Sequence, residues 1–163
     1  MVTHYIHRGL AKKNLKENTL SAFKYSFKKK YGIETDLQVT KDNQLICFHD
    51  FNLRRKFNLN KNVKDINYST LKKISKKRKA TVPLLKDLLK ISKNRYPLLL
   101  EIKPLLTKLS LLSLIKLIKK TKKYRIFSFK EKNLRKIPYQ RLIILLKKNT
   151  ASKQIYKLLR TVN

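Results

Sequence analysis

The chain has 163 residues, of which 42% are hydrophobic, so it is sized for one domain with a real core and is too apolar for global disorder. Its 42 Lys and Arg against 9 Asp and Glu give a net charge of +33, a field that favours anionic partners such as nucleic acid, anionic lipid headgroups or phosphate esters. One cysteine excludes an intrachain disulfide framework, and no run approaches the roughly 18 apolar residues of a membrane span.

In chain order, Thr3 to Ile6 reads as a short strand that delivers His7 to its end. The segment Met1 to Tyr5 lacks the basic and long apolar regions of a signal peptide, so a cytoplasmic protein is expected. Glu17-Asn18-Thr19 opens a helix, with Asn18 or Thr19 as N-cap and Leu20, Phe23 and Phe27 on one face. Gly32 ends that unit and permits a left-handed cap. Ile33 to Val39 alternates as a strand does, which puts Glu34, Asp36 and Gln38 on one face. Thr40-Lys41-Asp42-Asn43 is turn chemistry, and Leu45 to Phe48 is a buried strand that holds the lone Cys47 and ends at His49-Asp50.

The basic, Asn-rich stretch from Arg54 to Asn67 reads as loop. A short helix starts at Ser69 or Thr70 and runs through Lys76. Thr81 and Pro83 mark a second helix start, with Leu84, Leu85, Leu88, Leu89 and Ile91 on its apolar face. Leu98-Leu99-Leu100 drives into Glu101-Ile102-Lys103 as a strand buried on both faces, the habit of a parallel sheet. Leu105 to Lys120 is a Leu- and Lys-rich helix, Arg125 to Phe129 and Leu142 to Leu146 are strands, and Ala151 to Leu159 is a last helix. This alternation implies an α/β fold with a parallel sheet in a single domain spanning residues 1–163. The connection between Ile33–Val39 and Leu45–Phe48 is short. It suits an antiparallel hairpin, yet about seven extended residues span roughly 23 Å, so a parallel return stays open.

Lys, Asn, Ile and Leu are inflated along the whole chain, and against that background the few acids stand out. Glu34 and Asp36 lie two apart on one strand and point the same way, a pair that suits a hard divalent cation. Glu101 and Lys103 repeat the spacing on another strand, adding a third carboxylate and a cation for a phosphate oxygen. His7-Arg8 and His49 end two further strands, and parallel strands gather their carboxyl ends at one mouth. Each member alone has a plain structural reading. A carboxylate pair is usually a solvated face, a lone histidine (His4 among them) is usually structural, and one Lys means nothing in this chain. The joint pattern at successive strand ends points to metal-assisted phosphoryl chemistry.

These residues, in this order, resemble the glycerophosphodiester phosphodiesterase family. The matching segments are His7-Arg8-Gly9, Glu17-Asn18-Thr19 with Ala22-Phe23, Gly32 to Asp42, His49-Asp50 with Leu53 and Arg55, Val82-Pro83-Leu84, and Glu101-Ile102-Lys103. The resemblance covers about residues 3–147. It implies a TIM-barrel-like (β/α) fold and hydrolysis of glycerophosphodiesters to glycerol 3-phosphate and an alcohol, within lipid and glycerol metabolism. It also implies one divalent cation, Ca²⁺ or Mg²⁺, held by Glu34, Asp36 and Glu101. His7 and His49 become the acid–base pair, and Arg8 and Lys103 hold the phosphate. It favours parallel strands at the short connection.

Six strand candidates against the eight of a full barrel imply an incomplete, C-terminally shortened barrel, whose open edges offer a route to a homodimer. Two alternatives stand beside the hydrolase. One is a lysophospholipase D-type enzyme at a membrane surface, since Ser110 to Lys123 is apolar on one side and basic on the other and could touch anionic lipid peripherally. The other is an inactive truncated homologue that binds anions through its basic surface. Nucleic acid is not the expected partner, because its motifs are absent and the aromatics are not interleaved with the basic runs.

Overall fold

In the computed structural model, residues 4–11 and 15–135 are described. Four strands lie parallel in the order β1 (Tyr5–His7), β2 (Gly32–Val39), β4 (Leu98–Ile102) and β5 (Tyr124–Phe127), and β3 (Leu45–Cys47) pairs with the far end of β2. The described strands form an open sheet, with helices packed on one face, as in an incomplete barrel.

The sheet forms where the apolar runs are. All five residues of β4 are buried, and its parallel register to β2 sets Asp36 opposite Glu101. Alternation along β2 sends Ile33 and Leu37 to the helix-covered face, where they meet Leu98, Leu100, Ile102 and Ile126 from the neighbouring strands. Phe23 and Phe27 of α1 (Leu20–Lys28) close that core, together with Leu114 and Ile118, which come from the later helix at Lys108–Ile118. Thr19 starts α1 by accepting a hydrogen bond from the Ala22 amide at 3.3 Å.

The connection after β2 is an antiparallel hairpin, so the parallel geometry implied by the family resemblance is corrected. Leu37 pairs with Cys47 and Val39 with Leu45. The turn closes on itself: the Thr40 amide donates to the Gln44 carbonyl at 3.1 Å, and the Thr40 hydroxyl donates to Asp42 at 2.6 Å. Asn43 takes a left-handed φ of 56°. The Asn43 amide adds a bond to the Thr40 carbonyl at 3.0 Å, and the closed turn sends the chain straight back beside β2.

The stretch from Arg54 to Asn67, expected as loop, carries a helix and a 3₁₀ turn, and the helix expected from Ser69 or Thr70 follows it, so segment 48–84 is a folded unit. It contains α2 (Arg54–Phe57), a 3₁₀ turn at Val63–Asp65 and α3 (Tyr68–Lys77). Its apolar residues Leu53, Phe57, Val63, Ile66 and Leu71 form a second core with Ile46 and Phe48. The Lys- and Asn-rich composition hides this spaced set of anchors. Next, α4 (Leu85–Ser92) begins later than expected. Pro83 stays extended beside β3, where its carbonyl accepts from the Cys47 amide at 2.9 Å. Then α5 (Lys108–Ile118) is capped by Thr107, which accepts from the Ser110 amide at 3.2 Å, and α6 (Glu131–Leu134) follows β5. The expected strand Leu142–Leu146 and helix Ala151–Leu159 lie outside the described residues.

Both glycines are structural, for different reasons. Gly32 is not a left-handed cap. It is the first residue of β2, and a Cβ there would stand 2.9 Å from the Pro97 carbonyl oxygen. The left-handed residue after α1 is Lys30, at φ 62°. Gly9 has φ +76°, and a Cβ on it would sit 2.8 Å from the Phe23 ring. Gly9→Ala is therefore expected to destabilise the protein by about 1–3 kcal/mol, read as a lowered midpoint in urea denaturation. An unchanged midpoint would contradict this packing.

Candidate active site

At the carboxyl ends of the parallel strands, Glu34, Asp36 and Glu101 converge, with one carboxylate oxygen from each within 4.8 Å of the others. The register explains this: Asp36 and Glu101 are direct neighbours across β2 and β4, and Glu34 precedes Asp36 by one strand period on the same face. Asp36 and Glu101 are buried, and the Glu34 side chain is 13% exposed.

Two cations border the acids. Lys103 Nζ lies 3.0 Å from Glu101 and 3.6 Å from Asp36. Arg8 reaches the site from a sharp turn in which Arg8 (φ 56°) and Gly9 are both left-handed. The Arg8 amide donates to the Glu34 carbonyl at 2.8 Å, tying the turn to β2. Arg8 Nε stands 3.1 Å from Asp36, and its Nη1 donates to Glu17 at 3.2 Å. Asn18, also left-handed and buried, accepts from the Thr35 hydroxyl at 2.7 Å and reaches Asp36 at 3.5 Å.

The histidines stand on opposite sides of this pocket in their support. His7 ends β1 beside Glu34, with Nε2 at 3.8 Å from that carboxylate, and its ring is half open to solvent. The hairpin returns His49 to the mouth: the Phe48 amide donates to the Asp36 carbonyl at 2.9 Å, and Gln38 Nε2 donates to the His49 carbonyl at 3.2 Å. His49 Nδ1 bonds Asp50 at 2.7 Å, which leaves Nε2 as its free edge. Arg55 grips Asp50 through Nε at 2.7 Å and Nη2 at 3.3 Å, and Nη2 also donates to Glu17 at 2.9 Å. Glu17 thus joins two arginines, one beside Asp36 and one behind Asp50.

The electrostatics follow from this crowding. Burial, followed by repulsion from Asp36 and Glu101, pushes Glu34 up to about 8. Burial also raises Glu101, against the hydrogen bond from Lys103. Desolvation and then Arg8 lower His7, and His49 adds to the same direction from nearby. For Glu17 and Asp50 burial opposes ionisation, but the arginine and histidine hydrogen bonds outweigh it and hold both below the usual carboxylate range. Buried Cys47 is pushed up by desolvation and stays a thiol inside the core, away from this chemistry.

All seven residues picked out by the sequence therefore gather at one mouth. Glu17, Asn18 and Arg55 belong there too. The sequence places Glu17-Asn18-Thr19 at a helix start, and these residues and Arg55 stand among the segments that carry the family resemblance, but nothing local gives them a role at the site. Only the 38-residue separation of Glu17 and Arg55, closed by the fold, brings them together.

The residues present suit a divalent cation. Three hard oxygen donors converge, and Glu34 Oε2 is buried with no hydrogen-bond partner, as a carboxylate oxygen kept for an ion would be.

The glycerophosphoryl diester phosphodiesterase family model matches residues 7–156. A glycerophosphodiester phosphodiesterase of Bacillus altitudinis is 34% identical over 111 residues, covering 63% of this chain and 45% of that protein. The crystal structure of a Thermotoga maritima glycerophosphodiester phosphodiesterase superposes with a TM-score of 0.70 at 26% identity, over 82% of this chain and 57% of that one. An Oleispira antarctica phosphodiesterase in complex with the product sn-glycerol-3-phosphate shares the fold, with a TM-score of 0.71 at 20% identity over 86% of this chain and 63% of that one. This chain thus spans about half the length of the relatives it matches.

Glu34 supplies a pH test. Its native value of about 8 lies above the ordinary 4.5, so the folded state keeps a proton that the unfolded chain releases. Its contribution to stability is full below about 4.5 and is lost as pH rises through about 8. In chelator, the wild type is expected to lose a few kcal/mol relative to Glu34→Gln between pH 5 and about pH 9, measured by urea denaturation. Parallel stability profiles would contradict the repulsion.

Proposed function

The chain belongs to the glycerophosphoryl diester phosphodiesterase family, and on that premise we propose that it hydrolyses glycerophosphodiesters to glycerol 3-phosphate and an alcohol. The observation that carries the proposal is the convergence of Glu34, Asp36 and Glu101 within 4.8 Å, bordered by Arg8 and Lys103. The glycerol 3-phosphate held by the Oleispira relative supports the substrate class.

Glu34, Asp36 and Glu101 would hold one divalent cation, Ca²⁺ or Mg²⁺. Such a cation supplies neutralisation of phosphodiester charge and stabilisation of the charge that develops in the transition state. Arg8 and Lys103 bind the phosphate. Asp36 and Glu17 fix the guanidinium from two sides, so it stays aimed when the diester arrives.

The histidines divide the proton work. His7, whose protonated form is disfavoured by desolvation and then by Arg8, acts as the base that takes the proton of the attacking hydroxyl. His49 gives its Nε2 proton to the leaving alcohol, while Asp50 keeps the ring oriented through Nδ1. A lysophospholipase D-type substrate would use the same groups and differ only in the alcohol side of the diester.

The test is release of glycerol 3-phosphate from glycerophosphocholine with and without EDTA. Activity is expected to require the divalent cation, and His7→Ala and His49→Ala are each expected to lower kcat by about 10²–10⁴. Turnover that ignores EDTA or survives both substitutions would overturn the proposal. Anion binding without turnover would return the chain to the inactive, anion-binding reading.

A further inference from the structure

The large hydrophobic side chains left open to solvent are not scattered. Among the described residues they are Phe51, Leu105, Leu109, Leu112 and Phe129. Each follows the carboxyl end of a strand or lies in the first half of α5, so all sit on the side of the sheet where the candidate active site opens. Single exposed apolar residues are ordinary, but a group collected around one mouth marks an interaction site.

The direction of the α5 residues is informative. Ser110, Leu114 and Ile118 face the sheet and are buried. At about 100° per residue, Leu109, Leu112 and Lys116 fall within about 40° of the opposite direction. Leu109 and Leu112 are 64% and 54% exposed. They therefore point away from the sheet rather than sideways, where a flanking helix of a fuller barrel would lie. The outer line along α5 runs Leu109, Leu112, Lys116 and the C-cap Lys119, apolar near the mouth and basic beyond it, and exposed Leu105 lies in the segment just before the helix.

Between this helix and the β2–β3 hairpin lies a groove of about 620 Å³. Phe51 and Leu105 supply apolar walls, and Lys41, Lys64, Lys103 and Lys130 its charge, and among the described residues that line it none is acidic. Lys103 belongs both to this groove and to the acidic site. Apolar tips set in an all-cationic rim are complementary to an anionic lipid surface, whose headgroups meet the lysines while the leucines enter the acyl boundary.

We propose that the mouth of this protein docks on an anionic lipid bilayer through the outer stripe of α5, with Leu109, Leu112 and the preceding Leu105 as apolar anchors and Lys41, Lys64 and Lys130 of the groove as the headgroup contact. The surface stands apart from the hydrolytic reading, because docking is measured by partitioning and not by turnover.

The experiment is co-sedimentation with vesicles of phosphatidylglycerol and phosphatidylcholine, or of phosphatidylcholine alone, at low salt and at about 0.5 M NaCl. Wild type is compared with Leu109→Gln/Leu112→Gln. Both positions are exposed, so the variant keeps its fold (checked by its melting temperature) and its full charge. Wild type is expected to bind only the anionic vesicles and to keep part of that binding at high salt, where the variant binds at least about tenfold more weakly. Equal partitioning of the two proteins would overturn the proposal, since charge alone would then explain it. So would a dimer in analytical ultracentrifugation that the variant abolishes while vesicle binding stays unchanged, which would assign the stripe to a second copy of the chain.

Discussion

Three carboxylates in one dry pocket repel each other, and the surrounding structure is organised around that repulsion. With the three oxygens within 4.8 Å of one another, each like-charged pair costs about 3.5 kcal/mol or more at an effective dielectric near 20. The protein answers in two ways. It places Arg8 against Asp36 and Lys103 between Asp36 and Glu101. It also leaves Glu34 to carry the remaining strain, shown by its raised value and by an oxygen without a partner. A site left in this condition is prepared for positive charge, from a bound cation or from a proton.

The fold delivers each part to that pocket by a separate device. Parallel register sets Asp36 beside Glu101. The left-handed pair Arg8 and Gly9 turns the chain back so that a basic side chain from the end of β1 lies over β2, and Gly9 tolerates this because Phe23 needs the space a Cβ would fill. The hairpin carries β2 past the rim and brings β3 back down, so His49 reaches the mouth from above. The second core, built on Phe48, Leu53 and Phe57, then holds Asp50 and Arg55 behind His49. Glu17 ties the arginine of the phosphate side to the arginine of the histidine side, so the two halves of the site share one carboxylate.

Much of this was legible in the chain. Glu34 with Asp36, and Glu101 with Lys103, are pairs at a spacing of two, and strand geometry alone puts each pair on one face. Their position after apolar runs gives the parallel sheet and its mouth. The direction of β3 was not legible, because a short connection permits both geometries until the side-chain bonds of Thr40 and the pairing of Leu37 with Cys47 decide it. Left-handed Arg8 was hidden as well, since an arginine does not signal positive φ as glycine or asparagine does. Arg55 matched the family pattern, but its role was masked by composition: in a chain with 42 Lys and Arg, a basic residue gains a place at the site only when its two carboxylate partners are seen.

Calorimetric titration of the chelator-treated protein with Ca²⁺ and with Mg²⁺ bears most directly on the acidic pocket. One equivalent of cation should bind per chain, with release of protons near pH 7, and Asp36→Asn should abolish that binding without unfolding the protein. Full cation binding by the Asp36→Asn protein, or no binding by the wild type at millimolar cation, would show that the three carboxylates do not form a metal site.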